Sequence, residues 1–136
     1  MADAVRIDGL REFQRGLKAM DRDLGKAVRV AFNDAADIIV RDARPKVARR
    51  SGKAAGSVKV RSTQTSARVS GGGGRAPYYP WLDFGGRVGR RHQTKRPFLP
   101  RGRYIYAAYD RRRGEFVEGM SDALVAVARS AGIEVT

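Results

Sequence analysis

Between Arg75 and Pro100 the chain reads RAPYYPWLDFGGRVGRRHQTKRPFLP, a stretch through which no long helix can run. Pro77, Pro80, Pro97 and Pro100 lack a donor N–H and restrict the residue before them, and Gly85, Gly86 and Gly89 loosen the backbone between. The stretch opens on an apolar cluster (Tyr78, Tyr79, Trp81, Leu82, Phe84) and closes on Pro97-Phe98-Leu99-Pro100. The segment from Gly85 to Arg96 is polar and strongly basic. Apolar anchors on either side predict an arm whose ends sit on a core while its middle stays solvated. A structureless loop of this length is uncommon in a compact domain, so the segment reads as a functional arm or a spacer. Just before it, Gly71–Gly74 reads as a hinge or a tight passage with no packing role. Tyr78–Phe84 is a strand candidate that Pro77 and Pro80 push toward a sheet edge.

The flanks are periodic. Leu10, Phe13, Leu17 and Met20 recur at helical steps behind a capping Asp8. A second and longer stripe, Leu24, Val28, Ala31, Ala35 and Ile38, predicts a helix from a capping Asp21 to about Arg44, ahead of Pro45. The segment 47–57, VARRSGKAAGS, is a connection. Its Ser51-Gly52-Lys53 is no phosphate loop, because Val47 stands where that pattern needs glycine and Ala54 follows the lysine. Val58, Val60 and Ser62 alternate with Lys59 and Arg61, and Ala67-Arg68-Val69 alternates likewise, predicting a hairpin over 57–63 and 66–71. Tyr109, Phe116, Met120, Leu124 and Val127 predict a long final helix from about Tyr104 to Ala131, stopped by Gly132. The expected fold is α+β: a small antiparallel sheet, made of that hairpin plus the edge strand, packed by the two long helices, with an extended basic loop. It forms one domain over 1–136, in which residues 1–50 are helical, 51–103 hold the strands and arm, and 104–136 form the last helix. A three-stranded sheet with one open edge invites pairing with another copy.

The net charge is +14, and it is not spread evenly. Residues 1–42 carry eight bases and eight acids; residues 43–109 carry sixteen bases and one acid, Asp83; residues 110–136 carry four and five. A polyanion or an acidic protein surface is the natural complement of that middle. There is no cysteine, hence neither a disulfide nor a thiolate metal site. No apolar run approaches the roughly 18 residues of a membrane span, and the N-terminus lacks an export signal. Catalysis has little to work with. His92 is a lone histidine among Arg90, Arg91 and Lys95, and Asp34, Asp37 and Asp42 share helical spacing without a partner base. No cofactor, metal or catalytic residue is expected. Sequence-blind binding to DNA or RNA through backbone phosphates needs only cationic density, and Arg87, Arg90, Arg91, Lys95 and Arg96 supply it.

Several short motifs occur in a familiar order: a long helix, Ser51-Gly52 with Ser57 opening a strand, Tyr79, the turn Asp83-Phe84-Gly85, a basic loop, Arg96-Pro97-Phe98-Leu99-Pro100, and a final helix ending near Gly132. In that order the chain resembles the tail-completion or neck (head–tail connector) proteins of long-tailed bacteriophages, the tail-component family typified by gene product ten of a lambdoid phage. It departs from the family pattern at Asp83 and Gly86, where glutamate and threonine are usual, and at Arg101-Gly102-Arg103, which delay the last helix. The resemblance implies a non-enzymatic virion protein at the head–tail junction or the top of the tail, assembled in the host cytoplasm. It would form a ring of copies of itself, sixfold to match the tail tube, beside other connector, terminator or tail-tube proteins, with DNA in the channel. On this view Tyr79, Trp81, Phe84, Pro97, Phe98 and Leu99 are subunit-contact candidates. The bases Arg87, Arg90, Arg91, Lys95 and Arg96 would reach a neighbour or DNA.

Overall fold

The structure is a computed structural model that describes residues 2–5, 15, 22–130 and 132. The order is β1 (Ala2–Val5), α1 (Arg22–Ala43), a 3-10 turn (Arg44–Lys46), α2 (Lys53–Ser57), β2 (Lys59–Val60), β3 (Ala67–Ser70), α3 (Tyr79–Phe84), β4 (Gly86–Val88), β5 (Thr94–Arg96) and α4 (Ile105–Ser130). The architecture is α+β. β1, β3 and β2 form a three-stranded antiparallel sheet in that spatial order, and β4 and β5 form a separate two-stranded one.

The two long helices carry the core. α1 has 22 residues and is about 33 Å long at about 1.5 Å per residue. Its buried residues Val28, Ala31, Phe32, Ala35, Ala36, Ile39, Val40 and Ala43 follow helical spacing and share one face. α4 answers with Ile105, Ala108, Phe116, Met120 and Ala128. The helices run antiparallel: Ile38 lies against Gly119, and one turn further along α1 Asp42 meets Arg111 and Arg112. Small residues on the stripe of α1 allow this approach. Val60, Ala67 and Val69 cover the same core from the sheet, and the alternating pleat turns Lys59, Arg61 and Arg68 to solvent. Full burial of a side chain such as Phe32 is worth about 2 kcal/mol.

Both long helices end within a residue of the predicted Arg44 and Ala131, and Gly132 has the left-handed φ of 77° that a stop requires. Three expectations need correction. Tyr78–Phe84 is not an edge strand; Tyr79–Phe84 is a short helix, and the third strand of the sheet is Ala2–Val5, paired with β3. Proline suits either use, and here Pro80 sits in the first turn of α3, where its missing N–H costs nothing. The arm is not an extended loop, because Gly86–Arg96 closes into the β4–β5 hairpin. Gly71 does serve packing: a Cβ there would overlap the Tyr79 ring. The connection after Val47 also contains one helical turn, Lys53–Ser57, whose Ser57 hydroxyl accepts the Gly72 N–H at 3.0 Å. The predicted helix over 8–20 and the Asp21 cap lie outside the described residues, apart from Arg15, which is helical.

Candidate functional site: the basic hairpin and its root

The hairpin stands on a knot of hydrogen bonds built around Asp83, whose side chain is wholly buried. One turn of α3 places Tyr79 four residues before it, so the Tyr79 hydroxyl donates to Asp83 Oδ2 at 2.8 Å. The other carboxylate oxygen accepts two backbone N–H groups from the approach to α4, Arg103 at 2.7 Å and Tyr104 at 3.0 Å. Arg103 also donates through Nη1 to the Asp83 carbonyl at 2.9 Å and through Nη2 to the Pro97 carbonyl. The only acid among sixteen bases is thus a structural acceptor. Three donors on one buried carboxylate satisfy the charge that burial would otherwise penalise. Burial, followed by the neighbouring Asp83 charge, pushes the Tyr79 hydroxyl far above its ordinary value, so it remains a donor.

Close backbone packing completes the root. Gly85 has φ 85°, and a Cβ there would overlap the Pro97 carbonyl; the Leu99 N–H donates to the Phe84 carbonyl at 2.7 Å. Gly102 has φ 69° and lets the chain pass so close to Asp83 that a Cβ would overlap Oδ1. Trp81 donates from its indole nitrogen to the Gly86 carbonyl at 3.1 Å, and Phe84 meets Tyr106 edge to face. The ends of the arm are pinned mainly by backbone, not by aromatic anchors as expected. Phe98 is 65% exposed and Leu99 41% exposed, which corrects the reading of Pro97–Pro100 as a buried anchor.

The five arm bases divide. Arg96 turns back into the root, donating to the Leu82 carbonyl at 3.1 Å and to the Tyr104 hydroxyl at 3.3 Å, with its guanidinium over the Trp81 ring. It braces the arm and is only half exposed. Arg87, Arg90, Arg91 and Lys95 are exposed, and none forms an ion pair among the described residues. Arg87 lies directly opposite Lys95 across the ladder, a like-charged pair with no acid between. His92, at the turn with φ 51°, is exposed beside them. Val88 on the hairpin is also exposed, as is Tyr78 before α3.

Of the contact candidates, Tyr79 is core, Trp81 and Phe84 are half-buried root, and Pro97, Phe98 and Leu99 are surface. Residues outside that set, Asp83, Gly102, Arg103 and Tyr104, hold the arm up. The isolation of Asp83 in a basic stretch was the signal for it; nothing local marks Arg103. Asp34, Asp37 and Asp42 of α1 do not gather into a patch. Asp34 is exposed, Asp37 pairs with Arg41 at 2.8 Å, and Asp42 is buried against Arg111, Arg112 and Lys46. Hydrogen bonding from Arg111 first, opposed by burial and reinforced by Arg112 and Lys46, holds the Asp42 carboxyl well below the usual carboxylate range. Among the described residues no group of three or more His, Asp or Glu is placed to hold a metal ion, and no helix is long and apolar enough to cross a membrane. No protein family, curated protein or solved structure matches the chain.

Proposed function

We propose that the chain is a structural, non-enzymatic subunit of a tailed-phage virion, a neck or tail-completion component that joins head to tail within a ring of its own copies. One observation carries this reading: a hairpin rooted in the core projects the exposed Arg87, Arg90, Arg91 and Lys95, with Val88 exposed on its last rung and Phe98 and Leu99 exposed just past its root. Exposed apolar side chains among arginines suit a protein contact, in which buried apolar anchors carry most of the energy. The motifs behind the resemblance support it as well. Tyr79, Asp83-Phe84-Gly85 and Arg96-Pro97 are separated in sequence, yet all take part in the knot that positions the arm. In this reading the arm engages the next copy in a sixfold ring or an adjoining connector, terminator or tail-tube protein, with DNA passing through the channel.

Sedimentation velocity over a concentration series, with electron microscopy of the larger species, tests the proposal. A ring, or capture of the chain by isolated phage heads or tails, is the expected result. A chain that stays monomeric at every concentration and binds neither particle overturns it.

A further inference from the structure

Part of the excess charge lies outside the arm. On the solvent face of the three-stranded sheet stand Lys59, Arg61 and Arg68, all exposed. The register places Lys59 opposite Ser70 and Val60 opposite Val69; the Arg61 N–H then donates to the Arg68 carbonyl at 2.8 Å, so Arg61 and Arg68 face each other directly. Like charges opposed across a ladder repel, and no acid relieves them: none of the three forms an ion pair among the described residues. On the other side of β3 the register positions beside Arg68 and Ser70 are Ala4 and Ala2. The described side chains on this face are thus Lys59, Arg61, Arg68 and Ser70.

We propose that this sheet face, through Lys59, Arg61 and Arg68, is a track for the sugar-phosphate backbone of nucleic acid, distinct from the protein-binding arm. The two basic surfaces differ in what accompanies the charge. A protein contact draws on apolar anchors; Val88, Phe98 and Leu99 are exposed on the arm and at its root, whereas β2, β3 and the residue after β2 present Lys59, Arg61, Arg68 and Ser70 on this sheet face. Phosphate contacts need cations on an accessible surface and are blind to sequence, which is what the sheet face offers. A lysine on the short edge strand β2 also discourages edge pairing between copies, but edge protection alone gives no reason for Arg68 on the central strand.

The full chain is titrated with a fluorescent random-sequence DNA duplex between about 50 and 200 mM salt, the range over which phosphate contacts weaken steeply. Replacing all three residues (K59Q, R61Q and R68Q together) is expected to reduce the slope of log affinity against log salt by about 2.7, at about 0.9 per lost phosphate contact. The arm variant R87Q/R90Q/R91Q/K95Q is expected to keep the wild-type slope. Each single replacement should remove about 0.9, which keeps the test valid should the triple variant fail to fold. R68Q should melt no lower than wild type, because it removes a repulsion. The proposal is overturned if wild type does not bind the duplex at the lowest salt, if the slope survives in the sheet variants, or if only the arm variant loses it. It is also overturned if polyglutamate of matched charge displaces the duplex as well as unlabelled DNA does, which would make the face a site for acidic protein. None of these readouts requires ring assembly, so failure here leaves the arm's role standing.

Discussion

The Asp83 side chain accepts from three donors. Replacing it with alanine would orphan the Tyr79 hydroxyl and the Arg103 and Tyr104 N–H groups, and is expected to cost about 3 kcal/mol in urea unfolding. Asparagine should cost about half as much, because its oxygen can still accept the two N–H groups while its amide faces a hydroxyl able to accept. Equal losses in the two variants would mean that the charge itself, not the acceptor geometry, holds the knot. At this scale the sequence was only partly legible. Its one acid among the central bases marked Asp83 as unusual, but two of its three donors come from residues twenty and twenty-one positions later and no local pattern announces them. Phe98 misled in the opposite direction. An aromatic flanked by prolines looks like an anchor, yet the anchoring is done by the neighbouring Leu99 N–H on the Phe84 carbonyl, and the ring is left outside.

Among elements, the α1–α4 pair was the most readable, since its stripes depend on local spacing and a long helix repeats that signal many times. β1 was the least readable. Ala2-Asp3-Ala4-Val5 has little strand propensity of its own, and it becomes a strand through pairing with β3. α3 failed for a different reason, because Pro80 serves a helix start as well as a sheet edge. Two predictions belong here. Asp42 fastens the end of α1 to α4, and its folded carboxyl titrates below the ordinary value of 3.8. The folded state therefore binds fewer protons there than the unfolded one, so its contribution is full above about pH 4 and declines as acid is added below that. Asp42→Asn should lose about 2 kcal/mol at neutral pH and unfold with a shallower dependence on acid; identical acid profiles for the two proteins would remove Asp42 from this role. The second concerns Gly85→Ala. It forces a side chain onto the Pro97 carbonyl at a positive φ, and should raise amide exchange across Gly86–Arg96 by about tenfold while leaving α1 and α4 protected. Unchanged exchange in the hairpin would mean the root tolerates opening.

For the whole molecule, the division of labour is between a helical core that sets stability and surfaces that carry charge outward. Phe98→Ser with Leu99→Ser tests that separation. Both side chains are largely exposed, so thermal unfolding should stay within about 0.5 kcal/mol of wild type, while assembly into rings or onto phage particles is expected to fall sharply. Weakened folding with assembly intact would place the pair in the core's service instead. The compositional reading located the excess charge in the middle of the chain but not its partition, since the return of Arg96 to the root and the common face of Arg61 and Arg68 both depend on strand pairing.

The pinch at Gly85 and Pro97 has a kinetic consequence. A projection whose base is already immobilised surrenders little freedom on meeting its target, so encounters should convert to bound pairs without a slow ordering step. Loosening that base would leave every contacting atom in place and still make the joint slower to form and quicker to break.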